Sequence, residues 1–251
     1  MNAREAVFIT GIGSGMGLEL ARRFLADGAR VGGCSIEPAG QQGAGFPTGI
    51  DYVQADVCDA AAMHTAITAF AARAGRLDIL VANAGISMPK AALPDFAAGR
   101  RVLNVNLLGT INSFEPALTV MREQGHGQLV ALGSVAGIVG LPGMAFYGAS
   151  KAAILHFCES LAGDLHKYGI AVTAIAPGFV ATALTRDNPH AMPFLMQPAV
   201  AVDKIYRAIR RRRARVVIPW QMALIAGLLY HLPRRLYLAL MRLDPTGLRH
   251  Y

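Results

Sequence analysis

The sequence predicts a doubly wound α/β fold, a parallel sheet with helices on both faces. Three observations carry that expectation. Short apolar runs alternate with helical stretches along the chain. A glycine-rich turn joins the first such run to the first helical stretch. The length of 251 residues, 53% of them hydrophobic, suits one α/β domain over 1–251 with a large core.

The first strand is Val7-Phe8-Ile9, a buried apolar run. It leads into Thr10-Gly11-Ile12-Gly13-Ser14-Gly15-Met16-Gly17, and the amphipathic stretch Leu18 to Ala26 follows. Glycines between a strand and a helix let the backbone turn tightly and let a pyrophosphate reach the helix N-terminus. That placement reads as a dinucleotide site rather than an empty loop. Gly28 to Ser35 is the second strand. At its end such folds read the adenosine ribose: an acidic side chain accepts from the 2′-hydroxyl, and a basic one receives a 2′-phosphate. Ser35 and Ile36 are neither, Glu37 stands slightly late, and no Arg or Lys lies in the turn. Glu37 would repel a phosphate, which tilts the choice between NAD and NADP towards NAD.

Glu37 to Gly49 is a loop rich in Gly, Pro and Gln. Asp51 to Ala55 is the third strand, with Asp56-Val57 at its end, and Asp59 caps a helix from Ala60 to Ala72. Leu77 to Val81 is the fourth strand and ends in Asn83-Ala84-Gly85. Ligands of open α/β sheets bind at the ends of such central strands. A long helical stretch, 97–124, contains Asn106, a residue disfavoured inside a helix unless its amide has partners. Gln128 to Leu132 is the fifth strand, followed by Gly133-Ser134.

After a Gly-rich segment, Gly133 to Gly143, a helix running to about Tyr168 carries Tyr147-Gly148-Ala149-Ser150-Lys151. Four residues apart, Tyr147 and Lys151 share a helix face. An ammonium beside a phenol favours phenolate and lowers its pKa, giving a general acid/base usable near neutral pH. Ile170 to Ala176 is the sixth strand, ending at Pro177-Gly178. Asp203 to Arg213 reads as a helix and Val216 to Ile218 as the last strand.

On these residues the chain resembles the short-chain dehydrogenase/reductases in their compact form. The match runs from Val7 to about Thr182, with looser similarity through Pro219. It consists of Thr10-Gly11-x-x-x-Gly15-x-Gly17, Asp56-Val57, Asn83-Ala84-Gly85, Asn106, Ser134, Tyr147-x-x-x-Lys151 and Pro177-Gly178-x-x-x-Thr182. The resemblance implies a Rossmann-type, seven-stranded doubly wound sheet, assembled as a homodimer or homotetramer. It implies an NAD(P)-dependent alcohol dehydrogenase or ketoreductase, moving a hydride between nicotinamide and a carbonyl or secondary alcohol.

The same resemblance distributes the roles. Gly11, Gly15 and Gly17, with Ser14 and Met16 among them, form the pyrophosphate turn. Ser35 stands at the ribose-reading position. Asp56 binds the adenine amino group, and Val57 adds a backbone contact. Asn83, Ala84 and Gly85 flank the adenosine ribose. Tyr147 is the general acid/base, Ser134 hydrogen-bonds the substrate oxygen, and Lys151 holds the nicotinamide ribose and depresses the tyrosine pKa. Asn106 places a water that links Lys151 to solvent. Pro177, Gly178, Val180 and Thr182 cover the nicotinamide and its carboxamide. The chain departs from the pattern at Ala82, where the family often has Asn, and at Ser35. The same fold acting as a dehydratase or epimerase, or as a cofactor-bound regulatory protein, is the alternative; the intact Asn106, Ser134, Tyr147 and Lys151 set argues against the regulatory one.

Composition narrows the setting. Cys34, Cys58 and Cys158 form no CxxC and no metal spacing, which points to a reducing, cytoplasmic compartment and no metal site. No targeting segment is expected ahead of the first strand, and no stretch reaches the roughly 20 apolar residues that span a bilayer. The net charge of +8 lies in the tail. Residues 1–202 carry 13 Lys and Arg against 14 Asp and Glu, while residues 203–251 carry 11 against 2. Arg210 to Arg213 and Arg215 read as cations closing a helix C-terminus. With no nucleic-acid motif or aromatic platform beside them, a nucleic-acid partner is not expected. The segment 183–200 is read as a substrate flap. Its Leu184, Met192, Phe194, Leu195 and Met196 either line a pocket for an apolar substrate or pack on the core. The segment 220–251 is a basic, apolar extension, expected first to pack on the pocket or a second subunit and second to touch a membrane surface.

Overall fold

The computed structural model describes residues 4–42, 45–87, 94–186 and 192–243. Seven parallel strands form one sheet: β1 (Ala6–Thr10), β2 (Arg30–Ser35), β3 (Asp51–Gln54), β4 (Ile79–Ala82), β5 (Gly127–Leu132), β6 (Ile170–Pro177) and β7 (Arg215–Ile218). Their spatial order is β3-β2-β1-β4-β5-β6-β7. Central strands β1, β4 and β5 are buried at every residue. Continuous apolar runs of this kind are what a sheet covered on both faces requires.

The cover comes from helices α1 (Gly15–Ala26) and α6 (Pro198–Arg210) on one face, and α2 (Ala60–Ala74), α4 (Gly109–Gln124) and α5 (Ala145–Leu165) on the other. Side chains alternate accordingly. Val7 and Ile9 of β1 join Phe24 and Ile205, whereas Phe8 joins Phe70, Met121 and Ile154. Gly32 and Gly33 in β2 permit the closest approach. A Cβ at Gly32 would lie 2.4 Å from the Phe70 ring, and one at Gly33 only 2.3 Å from the Ile9 carbonyl oxygen.

The chain leaves β1 towards β2 on one side and β4 towards β5 on the other, so strand order reverses between β1 and β4. A crevice opens outside the carboxyl ends of the strands at that reversal, the usual ligand position in open α/β sheets.

Several boundaries differ from the sequence reading. The helix after β1 starts at Gly15, not Leu18, because the glycine turn itself forms its first turn. The second strand starts at Arg30, since Gly28 takes φ +82° in the preceding turn. The helix before β7 starts at Pro198, five residues ahead of Asp203, with proline at a helix start where its missing N–H costs nothing. The long helix is interrupted. α3 (Phe96–Leu103) passes into a π-helical segment, Asn104–Leu108, before α4. After β7 come α7 (Trp220–His231) and α8 (Arg234–Arg242). Tyr237 and Met241 of α8 pack on Val139, and the Tyr237 hydroxyl donates to the Gly140 carbonyl. No helix among the described residues is long and apolar enough to cross a membrane. Parts of two expected segments, 187–191 of the flap and 244–251 of the extension, lie outside the described residues.

Candidate active site

A cavity of about 1720 Å³ occupies the crevice. Its floor is the glycine turn after β1. Gly11 (φ +65°) and Gly15 (φ +58°) hold backbone conformations that favour glycine, and Ser14 precedes the first turn of α1. Thr10 Oγ1 accepts the N–H groups of Asn83 and Ala84, each at 3.1 Å, and Asn83 Nδ2 donates to the carbonyls of Thr10 (3.0 Å) and Gly11 (3.2 Å). These bonds lock the end of β4 to the turn. Gly11, Ser14, Gly15 and Met16 face the cavity. Gly17 does not. It sits beneath the turn, where a Cβ would lie 2.3 Å from the Gly11 carbonyl oxygen. Its contribution is close packing of helix on turn rather than contact with a ligand.

The wall beside β2 and β3 is built by Ser35, Glu37, Asp56 and Val57. Ser35 Oγ pairs with the Tyr52 hydroxyl at 2.8 Å, and that hydroxyl also donates to the Glu37 carbonyl. The arrangement folds the Glu37 side chain back over the turn. Its Oε2 would stand 3.0 Å from a Cβ at Gly13, and this oxygen is buried with no hydrogen-bond partner. Glu37, late by sequence, thus lines the cavity beside Ser35 and the turn. Asp56 Oδ1 accepts the Cys58 N–H at 2.9 Å, and its carboxylate stays exposed.

Across the cavity stand Ser134, Tyr147 and Lys151. Ser134 lies just past β5 and accepts the Ala136 N–H at 3.2 Å, starting a single 3-10 turn, Val135–Gly137. Gly137 presses this turn on α5: a Cβ there would lie 2.6 Å from the Lys151 carbonyl carbon. The approach brings Ser134 within hydrogen-bonding reach of the Tyr147 hydroxyl. Lys151 is buried, and its Nζ donates to the Leu132 carbonyl at 2.7 Å.

In this state burial dominates the electrostatics of the pair. Burial pushes the Tyr147 phenol above its ordinary range, opposed only by the Ser134 hydrogen bond. The lysine does not pull it down in this state, because Lys151 Nζ turns to Leu132 and lies 5.8 Å from the Tyr147 ring centre. Burial also lowers Lys151 itself to about 8.

Asn106 lies in the π-helical segment, fully buried and behind the cavity rather than on its wall. Its Oδ1 accepts the Ile86 N–H at 2.8 Å, and its Nδ2 donates to the Ile86 carbonyl and to Ser150 Oγ, each at 3.0 Å. Ser150 in turn donates to the Tyr147 carbonyl at 2.7 Å. Asn106 thereby ties the chain after Gly85 to the helix that carries Tyr147. A Cβ at Gly85 would meet Asn106 Oδ1 at 3.2 Å and Lys151 Nζ at 3.5 Å, so the three converge.

The roof is Pro177, Gly178, Val180 and Thr182 with Leu184 and Met192. Thr182 reaches to 4.0 Å from a Cβ position at Gly15, closing over the turn. Val180 bridges to Met196, which is buried in the core, while Phe194 and Leu195 are exposed. The apolar flap residues are thus divided among cavity, core and surface. The far wall comes from α7 through Met222, Ala226 and Leu229. Gly137 and Ser150, which the sequence did not single out, also build the site. A lone glycine and a serine three residues after Tyr147 carry no signal until the backbone is folded.

Comparison with known proteins agrees with this geometry. A family model described as short chain dehydrogenase matches residues 5–193. An uncharacterized oxidoreductase of Myxococcus xanthus is 39% identical over 238 residues, covering 93% of each chain. The 3-oxoacyl-acyl-carrier-protein reductase MabA of Mycobacterium tuberculosis is 34% identical over 184 residues, 72% of each chain. Among solved structures, a short chain dehydrogenase from Burkholderia cenocepacia in complex with NADP superposes with a TM-score of 0.81 at 25% identity, over 96% of this chain and 99% of that one. The sheet order, the glycine turn and the match over residues 5–193 together establish that the chain belongs to the short-chain dehydrogenase family of oxidoreductases.

Proposed function

We propose that the protein is a nicotinamide-dependent oxidoreductase that interconverts an apolar ketone and its secondary alcohol, with NAD(H) as the preferred cofactor. The observation that carries this reading is the convergence of Ser134, Tyr147 and Lys151 on one cavity with the glycine turn. The residues fit a dinucleotide. Gly11 and Gly15 leave the turn bare of side chains, and Glu37 offers an unpartnered buried oxygen beside Gly13, suited to accept from a ribose hydroxyl. That carboxylate would repel a 2′-phosphate, which sets this chain apart from the Burkholderia relative with its NADP.

Bound nicotinamide supplies or takes the hydride. The chain's own residues handle the oxygen and its proton. Tyr147, held as a phenol by burial, donates its proton to the substrate oxygen in reduction and takes it back in oxidation. Ser134 donates a hydrogen bond to the same oxygen as charge develops there. Lys151, turning from the Leu132 carbonyl, holds the ribose and offers a positive charge near Tyr147. Asn106 holds the backbone after Gly85 close to Lys151, where it would place a relay water. Asp56 and Val57 hold the adenine. Ala84 and Gly85 flank its ribose, and Pro177 to Thr182 cover the nicotinamide. Val139, Leu141, Met144, Phe179, Leu184 and Met222 make the substrate end of the cavity apolar, which supports an apolar substrate class.

The test is a screen of apolar ketones and secondary alcohols with NADH, NADPH, NAD and NADP, read at the reduced-nicotinamide absorbance. NADH-linked turnover of apolar carbonyls that is lost in Tyr147→Phe is the expected result. Tight dinucleotide binding with no turnover of any substrate would instead favour a regulatory protein.

A further inference from the structure

The helix α7 is apolar on both sides, yet only one side is used by the fold. Met222, Ala226 and Leu229 face the cavity. Trp220, Leu224 and Leu228 recur every four residues on the opposite face, and their exposures are 65%, 65% and 72%. Ile225 lies between the two faces, lining the cavity while 40% exposed, so the outward apolar surface is continuous with the cavity wall. Helix α8 repeats the division. Tyr237 and Met241 pack inward, while Leu236, and Leu243 just past its end, are exposed. Arg235 and Arg242, seven residues apart, share one stripe of α8 and are exposed.

The charge on this surface has one sign. From Trp220 to Leu243 the sequence holds Arg234, Arg235 and Arg242 and no Asp or Glu. A twofold interface between copies sets the same patch against itself, and an all-cationic patch is not self-complementary. An anionic surface complements it. The 12 residues of α7 are too few to span a bilayer, but a helix with aromatic residues near both ends, here Trp220 and Tyr230, fits the plane of the headgroups.

We propose that α7 and α8 form a docking surface for an anionic lipid bilayer. The exposed leucines and Trp220 enter the headgroup boundary, the arginines meet the lipid phosphates, and no helix crosses. The surface is independent of the reaction proposed above, since it is assayed without substrate.

The full-length protein is mixed with vesicles of phosphatidylcholine, with or without phosphatidylglycerol, at physiological ionic strength. Trp220 is the single tryptophan, so its emission reports this face directly. The expected result is co-sedimentation with the anionic vesicles, far weaker sedimentation with the neutral ones, and a blue shift of Trp220 emission. The double variant Leu224→Glu/Leu228→Glu should abolish binding. Arg235→Gln/Arg242→Gln should weaken partitioning roughly twenty-fivefold, about fivefold for each charge near an anionic surface. None of these side chains lines the cavity, so both variants should keep the turnover of a soluble ketone. Unchanged Trp220 emission with anionic vesicles overturns the proposal without any variant. Equal binding to neutral vesicles overturns it as well, as does a concentration-dependent dimer that Leu224→Glu/Leu228→Glu dissolves in the absence of vesicle binding.

Discussion

Lys151 Nζ donates to the main-chain carbonyl of Leu132 at 2.7 Å, on the cavity wall yet shielded from bulk solvent. An ammonium held there lacks a carboxylate partner among the described residues, and burial lowers its pKa from 10.5 to about 8. The sign of the pH effect follows. Between about 8 and 10.5 the unfolded chain holds this proton and the folded chain has released it, so the lysine makes stability rise with pH in that window. Cys34 and Cys158, pushed up to about 12 by burial, act oppositely above 9, so the wild-type curve mixes the two. Subtracting the curve of Lys151→Met isolates the lysine. The difference in unfolding free energy, read from denaturant midpoints, should grow in favour of wild type from pH 8 to 10.5, by at most about 3 kcal/mol. A difference independent of pH would refute the depressed pKa.

Tyr147→Phe removes the proposed proton carrier but leaves the glycine turn and the Glu37 wall untouched. Turnover should fall by about 10²–10⁴-fold with dinucleotide binding retained. Burial keeps the Tyr147 proton on at neutral pH, so in the proposed reaction carbonyl reduction has its donor ready and alcohol oxidation does not. The oxidation rate of the wild type should therefore climb through the alkaline range while reduction does not. Steady-state rates in both directions across pH check this, and parallel profiles would remove Tyr147 as the titrating group.

Much of this site was legible in the sequence because a few residue types leave short-range marks. Gly11 and Gly15 predicted a bare turn, and both adopt positive φ. Tyr147 and Lys151 share a helix face because helical periodicity is fixed. The limits are equally physical. Glu37 read as late because sequence spacing counts residues along a strand, while the Tyr52 hydroxyl folds the chain after Ser35 back over Gly13. The charge on Lys151 was expected to act on Tyr147. Which acceptor a flexible lysine reaches depends on the Leu132 carbonyl at the end of another strand. Asn106 announced itself as an odd helical residue, but the π-helical segment that turns its amide towards Ile86 and Ser150 follows from tertiary contacts.

Asn106→Ala should weaken the scaffold before it affects chemistry. The change strands the part-buried Ile86 N–H and carbonyl and removes a donor to the buried Ser150. Each unsatisfied buried group costs about 1–3 kcal/mol, so a loss of roughly 3 kcal/mol is expected in chemical denaturation. A variant of wild-type stability with a large drop in rate would assign Asn106 to proton relay alone.

Glu37→Arg should exchange the cofactor preference. The carboxylate oxygen now buried beside Gly13 would be replaced by a cation suited to a 2′-phosphate. Apparent KM for NADH should rise and that for NADPH should fall, with kcat for the better cofactor within a few-fold of wild type. If NADPH is already preferred by the wild type, Glu37 does not read the ribose.

Gly17→Ala tests whether packing beneath the turn matters as much as the turn itself. A Cβ at Gly17 would stand 2.3 Å from the Gly11 carbonyl oxygen and 2.6 Å from Asn83 Nδ2. The first is backbone, and the second is pinned by two hydrogen bonds, so neither can step aside cheaply. Helix α1 would have to lift from the turn, at about 1–3 kcal/mol of overpacking, and the Thr10 to Ala84 link would open with it. Dinucleotide affinity should fall together with thermal stability. Gly163→Ala is the matched control, because that glycine lies exposed in α5 with no atom within 4 Å of its Cβ position. Alanine there should stabilise the helix by roughly 0.5–1 kcal/mol and leave cofactor affinity unchanged. Dinucleotide titration followed by fluorescence, beside thermal melts of both variants, separates the two effects. A Gly17→Ala protein that melts and binds like wild type would show that the turn tolerates a shift of α1.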